Sequence, residues 1–255
     1  MALTSIRTEG DEIQIINQLL LPHTEEWISI DSTNDAYEAI KSMKIRGAPA
    51  IASLASLSTA SYLSRALKLV PPPPFLESLD ALKAHLDPIF THLFSSRPTA
   101  VNLGQAISRL RKILDQGAQA GSTAIHVAQL LVKEGRQIAD EDVGRNREMS
   151  RHGAEWIIAQ VEKRTPGASA NGLNVMTVCN TGSLATSVGD WLAGPPVVHK
   201  WHLSLTRLGQ GYGTALGVIT HLHETGKLKR AFYTQSTPYH QGSRFVSVPF
   251  FFWFD

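Results

Sequence analysis

The single cysteine is the residue of this sequence with the clearest capacity for chemistry. Cys179 ends the β-rich run 173–178 and precedes the polar loop 180–183. A thiolate reacts where it is partly exposed near positive charge or near the N-terminus of a helix. Free cysteines are also often small buried hydrophobic residues, so position alone leaves both interpretations open. Zinc binding is not predicted, because the sequence has no second cysteine and no histidine at ligand spacing.

Two arginines lie in short breaks between predicted helices. Arg46-Gly47-Ala48 precedes Pro49, and Arg97 precedes Pro98-Thr99. The backbone N–H groups that begin a helix can receive a phosphate, and an arginine adds a charged, two-pronged donor. The alternatives, which the sequence alone favours, are a helix–helix turn with a solvated arginine at the first break and a helix cap by Thr99 at the second.

A third motif resembles a cofactor loop only in part. Gly211-Tyr212-Gly213-Thr214 lacks the third glycine of a dinucleotide-binding loop and the acidic residue about 20 positions later, so we reject a nicotinamide cofactor. The ten histidines form no recognised metal-binding motif, and each is interpreted as a surface or hydrogen-bonded residue.

The elements that must position these residues fall into two regions. Short alternating runs over residues 3–31 predict two or three antiparallel strands. Helical spacing then dominates residues 33–160, with breaks at Arg46–Pro49, at the proline run 71–74 and at a turn over residues 117–121. This first region predicts a small sheet followed by a mainly helical domain, residues 1–165.

The second region, residues 166–255, has a different pattern. A strand ending at Cys179, a helix over residues 211–226 and a strand over residues 230–234 predict the strand–helix–strand unit of a parallel sheet. Sites in such sheets lie beyond the carboxyl ends of the strands, which places Cys179 and Gln235 at the functional edge. The predicted fold class is therefore α/β.

Composition excludes several classes of function. With 24 basic and 22 acidic residues, the formal net charge is +2, which argues against a nucleic-acid partner bound by a basic face. No apolar run approaches the length of a membrane span, so no membrane partner is expected. One cysteine allows no internal disulfide, which favours an intracellular protein.

Five segments, in this order, together resemble the methylthioribose-1-phosphate isomerase family: residues 43–51, 96–103, 178–186, 211–219 and 239–244. That family shares its fold with the regulatory subunits of translation initiation factor 2B, so the resemblance implies a Rossmann-like second domain. It also implies interconversion of methylthioribose-1-phosphate and methylthioribulose-1-phosphate in methionine salvage, without a metal or organic cofactor. A sugar phosphate substrate, a homodimer in the complete family form, and a cytoplasmic location with the nucleus as a second compartment follow from the same resemblance.

The resemblance also assigns roles to residues. Cys179 matches the catalytic cysteine, and the substrate-binding positions are Arg46, Gly47, Ala48, Arg97 and Gln241. We expect Cys179, Arg46, Arg97 and Gln241 to face one pocket between the two domains. The family's acid is an aspartate downstream of the Gln-Gly-Ser-Arg motif, followed by an Asn-Lys pair, and neither is matched in this sequence. We therefore expect the second domain to be incomplete and these 255 residues alone to lack turnover.

Two segments depart from the family pattern. Residues 188–210 separate motifs that are nearly adjacent in the family, and residues 245–255 resemble nothing in it. We expect 188–210 to be a poorly packed excursion with little regular structure, because Gly194-Pro195-Pro196 blocks a helix. Translated intron sequence would account for both segments; a genuine shorter isoform is the alternative.

Two other functions stay open on the sequence. One is a non-catalytic regulatory subunit related to initiation factor 2B, and the other is ribose-1,5-bisphosphate isomerase. The loop after Cys179, together with Arg46-Gly47-Ala48 and Arg97, favours an isomerase over a regulatory subunit. The sequence separates the two isomerases poorly.

Overall fold

A small antiparallel sheet opens the chain. The computed structural model describes residues 4–21, 23–177, 188–190 and 214–233. Its first strands are β1 (Ile6–Glu9), β2 (Glu12–Ile16) and β3 (Trp27–Ser29), and β2 pairs antiparallel with both of its neighbours. Ile13 and Ile15 alternate with exposed residues and are buried against the helices, which fixes the register of the sheet. The predicted antiparallel strands are confirmed.

Five helices follow within the part of the first region that the structure describes: α1 (Thr33–Lys41), α2 (Ala48–Ala66), α3 (Leu79–Ser95), α4 (Val101–Gln119) and α5 (Ala124–Arg164). Ser32 begins α1 with a capping box, in which its hydroxyl accepts from the Asp35 backbone and the Asp35 carboxylate accepts from the Ser32 backbone. The predicted turn over residues 117–121 is wrong at its start, because Gly117 lies inside α4. A β-carbon on Gly117 would stand 2.4 Å from a methyl group of Val127, so the glycine allows α4 and α5 to meet there.

Helix α2 forms the centre of this region. Its small residues are buried around the whole helix from Ala50 to Ser61, so neighbouring helices approach it closely. At Gly135 of α5, an added β-carbon would stand 2.6 Å from the carbonyl oxygen of Ser56. The core cluster around α2 also includes residues of the sheet and of the other four helices.

The second region contains the predicted parallel unit. Strand β4 (Leu173–Thr177) pairs in parallel with the later strand Leu228–Tyr233, and α6 (Ala215–Glu224) connects to the latter. Leu222 of α6, Ala154 of α5 and Leu173 of β4 are buried together, so the end of α5 supports this unit. The described residues thus form an α/β fold that is mostly helical with small sheets.

Residues 188–190 correct one expectation. Val188–Asp190 form strand β5, which pairs in parallel with β1 and makes the first sheet four-stranded in the order β3-β2-β1-β5. The unpaired N–H and C=O groups at the edge of β1 offer hydrogen bonds that an irregular excursion would leave unmade. The expectation of little regular structure over 188–210 is therefore wrong at its first three residues, and residues 191–210 lie outside those described. The later strand of the second sheet, Leu228–Tyr233, is β6.

Candidate functional site

The start of α2 has the backbone geometry of an anion site. Gly47 is the N-cap residue with φ +109°, a conformation that side-chain-bearing residues rarely adopt. Among the described residues no side chain caps this helix, and its first turn contains no acidic residue. The first N–H groups of a helix have no partner within the helix and carry partial positive charge. Gly47 and Ala48 thus form the start of a helix without a side-chain cap, and their contact with a phosphate stays a prediction.

Arg46 holds this turn in place. Its side chain is only 3% exposed, and its Nη2 donates a hydrogen bond to the carbonyl oxygen of Gln18 at 3.0 Å. The backbone N–H of Gln18 in turn donates to the carbonyl of Lys44 at 2.8 Å. These bonds tie the α1–α2 turn to the segment after β2, so Arg46 has a positioning role. Its contact with substrate stays a prediction.

The start of α4 is a second helix N-terminus without a cap. Its N-cap residue is Ala100, no described side chain caps it, and its first turn lacks an acidic residue. The interpretation of Thr99 as the cap is therefore wrong. The Ala100 N–H donates to the carbonyl of Arg97 at 3.0 Å, which closes a tight turn before the helix. Arg97 is partly exposed, so its guanidinium can reach solvent or a ligand.

The two helix starts border one cavity of about 340 Å³. Residues between 49 and 53 of α2 and between 102 and 109 of α4 form two of its walls, and α5 forms the third. Among the described residues it is lined by Pro49, Ala52, Ser53, Asn102, Gln105, Ala106, Arg109, Ile138 and Arg145. The predicted site residues Arg46, Gly47, Ala48 and Arg97 are not among these lining residues, although Ala48 begins α2 and Arg97 precedes α4.

A network of charged residues supports the α4–α5 side of the cavity. Arg109 donates to Glu134 Oε1 at 2.7 Å and to both carboxylate oxygens of Glu141, at 2.9 and 3.2 Å. Glu141 also accepts from Gln137 at 2.7 Å and from Arg145. The Arg109 guanidinium lowers the pKa of the Glu141 carboxyl to about 2, so Glu141 is ionised at neutral pH.

The remaining predicted site residues, Cys179, Gln235 and Gln241, lie outside the described residues. The structure does describe β4 and β6, the strands that precede Cys179 and Gln235 in the sequence. Thr177 of β4 pairs with Tyr233 of β6, so both strands end at the same edge of the sheet. The chain reaches Cys179 and Gln235 two residues beyond these strand ends.

Sequence reasoning missed the α4 and α5 walls of the cavity. Asn102, Gln105 and Arg109 follow one another at helical spacing, and Glu141 and Arg145 are four residues apart on α5. These spacings predict two polar helix faces, but only the packing of α2 against α4 and α5 shows that both faces border one space.

Within the described ranges, no group of His, Cys, Asp or Glu side chains could hold a metal ion. None of the described helices combines the length and apolar character required to span a bilayer.

Comparison with known proteins gives consistent results. The sequence model of the initiation factor 2 subunit family matches residues 44–248 and ends four residues beyond Arg244. A curated methylthioribose-1-phosphate isomerase from Postia placenta is 56% identical over 245 residues, which cover 96% of this chain and 57% of the relative. The chain thus spans little more than half the length of such relatives.

Two solved structures resemble the fold. One is a 5-methylthioribose 1-phosphate isomerase from Pyrococcus horikoshii OT3, with a TM-score of 0.71 and 27% identity; the match covers 98% of this chain and 57% of that one. The other is the delta subunit of translation initiation factor eIF-2B from A. fulgidus, with a TM-score of 0.63 and 32% identity, covering 96% and 58% of the two chains.

Proposed function

We propose that this chain, which belongs to the initiation factor 2 subunit family, supplies the sugar phosphate site of a methylthioribose-1-phosphate isomerase. That enzyme interconverts methylthioribose-1-phosphate and methylthioribulose-1-phosphate in methionine salvage. The observation that carries the proposal is the cavity between the starts of α2 and α4, where two uncapped helix N-termini and arginine side chains favour an anionic ligand. The 56% identity to an isomerase supports the choice of substrate.

The proposed reaction needs no external electron carrier. Hydrogen moves from C2 to C1 of the sugar, so the aldose is converted to a ketose without net oxidation. Because the anomeric oxygen carries the phosphate, the ring does not open spontaneously, and an acid near the ring oxygen must assist. We assign Cys179 to stabilising the transition state, and Gly47, Ala48, Arg46, Arg97 and Gln241 to holding the substrate.

We extend the proposal to the fold of the second region, which we take to be a Rossmann-like domain. The support is the parallel β4–α6–β6 unit, in which α5 and α6 cover one face of the sheet. On the other face Met176 and Phe232 pair in register and are 70% and 48% exposed. A second helical layer on that face would complete the two-sided packing typical of parallel sheets.

A second candidate function is a non-catalytic subunit, which the similarity to the eIF-2B delta subunit favours. Both functions predict the same fold, and the two differ in whether the sugar phosphate is converted. The isomerase explains a cysteine in the sequence two residues after β4, whereas a binding subunit does not require a thiol there. As a cytoplasmic or nuclear enzyme, the protein would keep this thiol reduced. We propose a homodimer for the complete form, without a nucleic-acid or membrane partner.

The test measures conversion of methylthioribose-1-phosphate by NMR, using a version of the chain extended by the remaining residues of the Postia relative. We expect turnover by the extended chain and its loss in Cys179→Ala, with substrate binding retained in that variant. Binding without any turnover in the extended chain would instead favour the non-catalytic subunit. Absence of both binding and turnover in a folded extended chain would contradict both functions.

A further inference from the structure

The two arginines that line the cavity, Arg109 and Arg145, differ in the carboxylates that contact them. Arg109 lies between two carboxylates, those of Glu134 and Glu141, and is hydrogen bonded to both. Arg145 contacts the Glu141 carboxylate, which is already shared with Arg109 and Gln137. Among the described residues, no second carboxylate reaches Arg145, and its side chain is 68% exposed.

The surroundings of Arg145 suit a phosphate ester. The described lining residues include two guanidinium groups, the amides of Asn102 and Gln105 and the hydroxyl of Ser53, but no carboxylate. These side chains can donate hydrogen bonds to a ligand that carries both a negative charge and hydroxyl groups. A guanidinium can contact a phosphate through two parallel N–H···O bonds, which a lysine cannot reproduce. The cavity volume lies within the range of about 300–1,000 Å³ that is usual for small-molecule sites.

We propose that Arg145 is a binding residue for the phosphate of the ligand, and that Glu141 is a positioning residue that holds Arg145 over the cavity. This inference rests on the proposed function for the identity of the sugar phosphate. It adds a contact from α5 to those expected from the starts of α2 and α4. Glu141 acts through Arg145, because it accepts from that guanidinium and does not itself line the cavity.

The experiment compares binding of inorganic phosphate and of methylthioribose-1-phosphate by isothermal titration calorimetry, using the 255-residue chain. In Arg145→Gln we expect the Kd for methylthioribose-1-phosphate to rise at least about tenfold, and in Arg145→Lys to rise less. Arg151→Gln is the matched control: Arg151 also lies on α5 and pairs with Glu148 and Glu155, but it does not line the cavity. Its Kd should equal that of the wild type.

The positioning role of Glu141 is tested by a double-mutant cycle on the same Kd. Glu141→Gln should weaken binding in the wild-type background and have a smaller effect in Arg145→Gln, where only its hydrogen bonds with Arg109 and Gln137 are left to lose, whereas a role independent of Arg145 gives additive losses. Equal binding by Arg145→Gln and the wild type would overturn the inference while leaving the proposed function intact. A third outcome is that the wild type binds inorganic phosphate but not methylthioribose-1-phosphate, and that Arg145→Gln loses phosphate binding. This result would support the role of Arg145 in phosphate binding and reject the proposed substrate. No binding of either probe would overturn both.

Discussion

The two regions of the molecule differ in how their cores are supported. In the first region, a continuous cluster of buried residues runs from Ile6 in β1 to Ala139 in α5. In the second, the described residues form two small clusters, and one of these depends on Ala154 near the end of α5. Among the described residues, the first region therefore contains most of the buried core and all three walls of the cavity.

Helix α5 lies in the first region but packs against both regions, so substitutions within this one helix can compare them. Its first half packs against α2, where Gly135 meets backbone, and its second half packs against α6, where Gly153 meets the side chain of Val218. A tightly packed core resists change more than a small cluster at the end of a helix. We therefore expect the same kind of substitution to cost more in the first region than in the second.

The largest effect should come from removing a buried ring. Phe90 of α3 is fully buried, and Phe90→Ala should lower the free energy of unfolding of the first region by about 3–5 kcal/mol. Leu222→Ala should instead release the second region while hydrogen-exchange protection in α2 and α4 is retained. Urea titration with hydrogen-exchange mass spectrometry measures both. Loss of protection in both regions at one urea midpoint in Leu222→Ala would show that they unfold as one unit.

The next effect compares the two glycines of α5. Gly135→Ala should destabilise by about 1–3 kcal/mol, because its β-carbon would stand 2.6 Å from a backbone oxygen that cannot turn away. Gly153→Ala should cost less, because the obstacle is a methyl group of Val218 at 2.9 Å and α6 can shift. Thermal unfolding of the two variants checks the order, and a larger loss at Gly153 would reverse the comparison.

A smaller effect depends on pH. The folded pKa of Glu141 lies near 2, below its ordinary value of 4.5, so its contribution to stability is complete above about pH 5 and is lost as pH falls toward 2. Glu141→Gln should therefore lower the free energy of unfolding at pH 7 by roughly 1–2 kcal/mol, and the difference should shrink by pH 3. Glu148→Gln, on the exposed face of the same helix, is the control. A loss in Glu141→Gln that stays constant from pH 7 to pH 3 would contradict the assignment.

The smallest effect concerns the turn that leads to the site. Met43 has φ +61°, in the left-handed region that favours glycine. Because Met43→Gly and Met43→Ala both remove the side chain, their difference isolates the backbone, and the glycine variant should be more stable by about 1 kcal/mol. Chemical denaturation gives the two values. Equal stability would mean that this turn carries no backbone strain.

Prediction from sequence succeeded where the signal was local. The first antiparallel strands and the strand–helix–strand order of β4, α6 and β6 follow from short alternating or helical patterns. It failed where a distant partner decides the outcome. Strand β5 forms because the edge of β1 is available, 182 residues away at the Ile6–Val188 pair.

For the candidate site, too, prediction succeeded with local motifs and failed where packing between distant segments decides the outcome. The turns at Gly47 and Arg97 were predicted from glycine, proline and arginine in short motifs. Arg145 could not be assigned, because one exposed arginine among several on α5 has no distinguishing local pattern. Its place on the cavity depends on how α5 crosses α2 and α4, and this crossing is set by tertiary contacts such as Gly135 against Ser56 and Gly117 against Val127.

Hydrogen–deuterium exchange of the 255-residue chain, with and without methylthioribose-1-phosphate, tests most directly the claim that the ligand binds at the two helix starts. Amides in the first turn of a helix exchange quickly when they have no acceptor, and a bound phosphate would slow them. We predict slower exchange in residues 47–53 and 100–105 on ligand binding, with no change in β1 and β2. Saturating ligand that leaves both segments unchanged, or protects only other parts of the chain, would contradict the account.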